Sequence, residues 1–194
     1  MDQRALVAIV VLIAVVIVIA AVVIFSRRRR REHLRERFGP EYDLAVRQRG
    51  DAAKAEAELL NREKRVHSFS IKALAPAARE RFAEEWSAVQ RHFVDDPAIA
   101  VTEADSLVNR VMAARGYPTA DFEQRAADVS VTYPAVVQNY RSACAIAQRH
   151  SRGQAGTEDL RQAMVYYRTL FDELLDLPKS SATSSRGVLH ERAS

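Results

Sequence analysis

The chain has 194 residues, 48% of them hydrophobic, a formal net charge of +4 and a single cysteine, Cys144. One cysteine excludes an internal disulfide framework and fits a reducing compartment. The positive charge is local: residues 27–49 carry nine arginines against four carboxylates, whereas residues 50–194 carry 19 basic and 20 acidic side chains, so the larger part of the chain lacks the basic surface that nucleic-acid binding needs.

The first element is an apolar run, ALVAIVVLIAVVIVIAAVVIF, from Ala5 to Phe25. Its 21 residues carry no polar side-chain atom and as a helix span roughly 30 Å, the thickness of a bilayer's hydrocarbon core. In lipid a helix closes its own backbone hydrogen bonds, so the high Val and Ile content does not argue against one. A secretory signal would place positive charge before the run and a small-residue cleavage site after it. Here Arg27, Arg28, Arg29, Arg30 and Arg31 follow it, a stop-transfer pattern. The expectation is a transmembrane anchor over residues 1–26, N-terminus outside and the rest cytoplasmic, by retention of cationic side chains. The same five arginines are the candidate membrane-surface residues, able to meet anionic lipid head groups at about 1 kcal/mol each.

Residues 27–67 read as a basic juxtamembrane helical stalk or hairpin. The anchor helix should continue through Glu32–Phe38 and break at Gly39-Pro40. A short helix follows from Pro40 to Arg49, ended by Gly50. Asp51 caps a third segment to about Val66, with Ala53, Ala57 and Leu60 on a narrow apolar face. His67–Ala75 reads as an extended linker.

Residues 68–178 should form a four- to five-helix bundle, making the protein all-α. Phe82, Trp86, Val89 and Phe93 mark a helix from Pro76 to Val94. Asp96-Pro97 opens the next, with Ala100, Ala104, Leu107, Val108, Val111 and Met112 inward and a stop at Gly116. A short helix spans Asp121–Asp128. Another opens at Pro134 and buries Val137, Tyr140, Cys144 and Ala147. Thr157 is expected to cap the last, whose stripe runs from Leu160 to Leu174 and which Pro178 closes. Residues 179–194 are polar, Ser-rich and expected to be disordered.

Motifs for chemistry are sparse. Neither G-x-x-x-x-G-K-[ST] nor G-x-G-x-x-G occurs, so no nucleotide cofactor is implied. The histidines are scattered and none stands at metal-ligand spacing, so no metal is implied. His92 and Asp96 are four apart, but Asp96 is better explained as a cap. Cys144 on an apolar face reads as core rather than nucleophile. Trp86, Phe93, Tyr117, Phe122, Tyr133, Tyr140, Tyr166, Tyr167 and Phe171 are either core or the lining of a ligand pocket.

The strings RFGPEYD (37–43), FVDDP (93–97), EADSLVNRVMAARGYP (103–118) and DFEQRAADVSV (121–131) resemble an uncharacterised family of bacterial single-pass membrane-anchored helical proteins. The resemblance runs from the arginine run to about Leu175. It implies a bacterial inner (plasma) membrane and no catalytic residues. The expected function is a membrane-tethered cytoplasmic interaction or scaffold module, meeting the lipid bilayer and a protein partner or second copy. The alternative is a small-ligand sensor or enzyme with a pocket inside the bundle.

Overall fold

A computed structural model describes residues 3–175, with side chains from Leu12 onward. Among the described residues the protein is all-α, with eight helices and no strand. They are α1 (Gln3–Phe38), α2 (Pro40–Arg49), α3 (Ala52–His67), α4 (Pro76–Asp95), α5 (Pro97–Ala114), α6 (Phe122–Thr132), α7 (Val137–His150) and α8 (Thr157–Leu175).

Local chemistry sets most of the boundaries. Pro40, Pro76 and Pro97 open α2, α4 and α5, where a missing N–H removes no intrahelical bond. Asp51, Asp96 and Asp121 cap α3, α5 and α6, each accepting from the backbone N–H three residues on. Three boundaries differ from expectation. α6 extends to Thr132, because its second half is buried from Ala126 to Val131. α7 begins at Val137, after a turn over Pro134–Val136. The α8 cap is Gly156 rather than Thr157: the Gly156 carbonyl accepts from Leu160 N, and Asp159 reaches back to the Gly156 N–H at 3.0 Å.

Among the described residues no helix is long and apolar enough to cross a membrane. The run Ala5–Phe25, expected as a transmembrane helix, has side chains described only from Leu12. The tail, residues 179–194, lies outside the described residues, as does Pro178.

Two apolar cores form. The larger is organised on α5, which packs against α4, α7 and α8. Trp86 stacks on Phe171 there with ring centroids 4.7 Å apart. The smaller holds Leu34 and Phe38 of α1, Tyr42 and Ala45 of α2, Ala55, Leu59 and Val66 of α3, and Val131 of α6. Phe69 and Ile71 pack against both cores. Of the α3 face expected to pack, Ala53 and Ala57 are exposed, whereas Leu60 is half-buried and packs against the smaller core. The fully buried apolar positions of α3 are Ala55 and Leu59, which share the smaller core with Phe38 and Tyr42. Periodicity offers both sets of positions, and only the placement of α1 and α2 selects one.

The linker 68–75 crosses the C-terminal end of α5, with Lys72 N donating to Arg115 O at 2.9 Å. Gly116 makes this crossing possible. Its φ is +96°, and a Cβ there would lie 2.4 Å from Ser70 O.

Candidate functional site

The five arginines expected at the membrane surface all lie on α1, exposed and within two turns of Phe25. They do not act alike. The Arg29 guanidinium sits 4.4 Å from the Phe25 ring centroid. Arg31 Nε donates to Glu56 Oε1 at 2.9 Å, and the same oxygen accepts from the Tyr42 hydroxyl at 3.0 Å. Burial and the bond to Glu56 push the Tyr42 hydroxyl above its ordinary pKa. Arg27, Arg30 and Arg31 line a recess of about 400 Å³ against α3.

The described part of the apolar run is exposed on every side. Leu12, Ile17 and Phe25 are 65%, 61% and 56% accessible, and Ile13, Val16 and Ile24 exceed half. Farther along the same unbroken helix, Leu34 and Phe38 are fully buried. One rigid rod therefore carries an all-round apolar surface at one end and core residues at the other.

A second candidate lies where α5, α6, α7 and α8 meet. Asp105 Oδ1 accepts from the Tyr167 hydroxyl at 3.2 Å, with Cys144 Sγ 3.8 Å away. Its Oδ2 accepts from Asn109 at 3.0 Å. Arg125 donates to the Tyr140 hydroxyl at 3.1 Å and to Ala120 O at 2.6 Å. Asp105, Phe122, Arg125, Cys144 and Tyr167 line a cleft of about 250 Å³. A neighbouring recess of about 460 Å³ shares Thr102, Asp105 and Arg125 with it.

Burial dominates the electrostatics of this cluster. It pushes the Cys144 thiol up to about 12, and the Tyr140 and Tyr167 hydroxyls well above the phenol range. The thiol and both phenols stay protonated near neutrality, so the cluster presents neutral donors and the Arg125 guanidinium beside Asp105, and no thiolate. That suits hydrogen bonding to a small polar ligand and does not suit nucleophilic attack.

The nine aromatics do not line one pocket. Trp86 and Phe171 stack together, Phe122 and Tyr167 pack edge-on against Tyr140, and Tyr117 meets Phe69. His92 pairs with Glu103 at 3.0 Å, while Asp96 caps α5. Among the described residues no three His, Cys, Asp or Glu side chains converge as a metal site would require. A recess of about 690 Å³ lies between α4 and α5, lined by Ala88, Val89, Ala98 and Ile99 together with the Glu85–Arg110 and His92–Glu103 pairs.

Several polar residues in the interior escape a reading by motif. Arg115 is 1% exposed, and its Nη1 donates to the Tyr133 hydroxyl at 2.5 Å and to Leu174 O at 2.8 Å. It ties the end of α5 to the end of α8. Glu41 is equally buried and pairs with Arg141. Asp128 pairs with Arg65 at 3.3 Å, and burial holds its carboxyl above the usual range. The i,i+4 spacings of Asp105 with Asn109 and of Gln124 with Asp128 are local signals that point to two of the polar contacts. No family model, curated protein or solved structure matches the chain.

Proposed function

We propose that the protein is a membrane-tethered helical interaction module, held at the inner face of a bacterial plasma membrane. The observation that carries this reading is the unbroken α1: its exposed apolar side chains run from Leu12 to Phe25, and the same helix ends in the buried Leu34 and Phe38. Apolar surface on all sides of a helix needs a non-aqueous surrounding, and the apolar run of the sequence begins at Ala5. No loop intervenes between anchor and domain, so the helical domain stands at a fixed distance from the bilayer. The arginines after the run favour a cytoplasmic domain. The work of the module is to hold a partner protein, or a second copy, at that distance, and the α4–α5 recess offers a concave surface for it.

Paired fusions at the C-terminus test the topology. Alkaline phosphatase is expected to be inactive and green fluorescent protein fluorescent in cells, and the opposite pair of results overturns the orientation. Crosslinking in native membranes, followed by purification, is expected to recover a stoichiometric partner or homo-oligomer. Recovery of neither removes the interaction reading.

The Asp105 cleft favours a second reading, a sensor for a small polar ligand. Thermal shift of the full-length protein against metabolite panels tests it, since a ligand at 100 times its Kd stabilises by roughly 2.7 kcal/mol. A silent panel together with unchanged behaviour of Asp105→Asn removes this reading.

A further inference from the structure

α1 and α3 run side by side in the same direction: Arg31 pairs with Glu56, and farther along both helices Arg37 pairs with Glu63 at 2.8 Å. Between them lies the recess of about 400 Å³. Its walls carry Arg27, Arg30 and Arg31 from α1 and Lys64 from α3, against the single carboxylate of Glu56. That carboxylate is already engaged by Arg31 and the Tyr42 hydroxyl. Among the described residues Arg27, Arg30 and Lys64 have no acidic partner within ion-pair distance. The floor is Ala53, Ala57 and Leu60 of α3, of which Leu60 also packs against the smaller core.

We infer that this recess binds the phosphate-bearing head group of an anionic phospholipid from the leaflet that α1 meets at Phe25. The inference rests on the membrane-tethered reading and names the partner of its basic segment. Arg27 and Arg30 supply planar donors for phosphate oxygens, and Lys64 adds a point charge from the opposite wall. The small apolar floor gives the glycerol and first acyl carbons a surface beside the charges. A free phosphate ion has no use for that floor, which favours a lipid. Arg28 and Arg29 belong to the same run but do not line the recess, and Arg29 is spent on the Phe25 ring. A diffuse attraction to an anionic surface would use all five arginines equally; a built site divides them.

The full-length protein in a neutral detergent, titrated with phosphatidylglycerol or phosphatidylcholine of matched chains and read by native mass spectrometry, separates the two. The anionic lipid is expected to bind at least tenfold more tightly. R27Q/R30Q is expected to weaken it by roughly 25-fold and K64Q by about fivefold, from about a fivefold effect per cation. R28Q/R29Q makes the same charge change and is expected to weaken it less than threefold. A57F fills the floor without altering charge and is expected to abolish retention. Equal losses for the two arginine pairs, or full binding by K64Q and A57F, overturn the inference. Competition by inorganic phosphate at comparable concentration assigns the recess to a free anion and overturns the lipid assignment. Carbonate extraction of native membranes tests the tether separately. Wild-type protein released by carbonate refutes the tethered reading, whereas retained protein with equal losses for the two arginine pairs refutes the lipid site alone.

Discussion

Glu41 of α2 and Arg141 of α7, 100 positions apart in the chain, form a buried ion pair with Nη2 to Oε1 at 3.0 Å. Arg141 Nε reaches the same oxygen at 3.1 Å, and Gln138 lies 3.3 Å from the other. Glu41 is 1% exposed, so the pair binds the N-terminal helices to the bundle in a poorly solvated setting. Arg141→Met leaves that carboxylate without its cation and is expected to cost about 3 kcal/mol in urea unfolding of the full-length protein. Glu41→Gln combined with Arg141→Met is expected to recover more than half of that loss. If the double variant is as unstable as the single one, the pair is not coupled.

The same interface makes residues 27–67 part of the stability of the bundle. A fragment of residues 68–178 loses the cover over Val131, the Arg65 partner of Asp128 and the Glu41 partner of Arg141. Circular dichroism should find it helical, with a urea midpoint below that of residues 27–178. Equal midpoints would show that the two cores are energetically independent.

Trp86 is 5% exposed and stacked on Phe171, and it is the sole tryptophan of the chain. Trp86→Ala is expected to destabilise by about 3–5 kcal/mol through lost burial and the cavity it leaves. A cost below about 1 kcal/mol, measured by loss of ellipticity in urea, would place the indole outside the core.

With its pKa raised to about 12 by burial, the Cys144 thiol should be inert in the folded protein. A raised thiol pKa means that folding favours the protonated form. This contribution is fully present below the ordinary thiol pKa and is lost as pH rises through the raised value. At pH 8 the thiolate fraction falls by roughly a thousandfold relative to an ordinary thiol. An aromatic disulfide reagent should therefore label native protein at least a hundredfold more slowly than urea-unfolded protein. Rapid native labelling would reveal an accessible thiolate.

Gly116 and Gly153 both have positive φ, +96° and +70°, but differ in their surroundings. A Cβ at Gly153 meets nothing within 4 Å, so Gly153→Ala is expected to cost about 1 kcal/mol, for backbone strain alone. At Gly116 the new atom collides with the Ser70 carbonyl oxygen, so Gly116→Ala is expected to cost at least about 2 kcal/mol more. Thermal unfolding of the two variants side by side measures the difference, and equal costs would mean that the linker yields.

The sequence by itself determined most of the helices and many of their ends. Those depend on groups within one turn: Asp96 accepting from Ile99 N, Pro76 at a first position, Gly50 in the left-handed region. The stripe of α5 was legible because its core residues recur at helical spacing on one element. What the sequence left open needed two elements at once. Ala57 and Leu59 are both apolar in the pattern, yet one lines the recess with Arg27 and the other is buried in the smaller core with Phe38, because the turns at Gly39 and Gly50 set which side of α3 meets α1 and α2. Arg115 and Glu41 look like solvated charges until the partners that enclose them are placed, Tyr133 and Leu174 for one and Arg141 for the other. The division of five consecutive arginines into those that line a recess and those that do not was likewise decided by α3, which the run meets only after the chain has turned twice. Local hydrogen bonds and periodicity are written along the chain, whereas burial of a charge depends on a second surface that only the tertiary fold brings near.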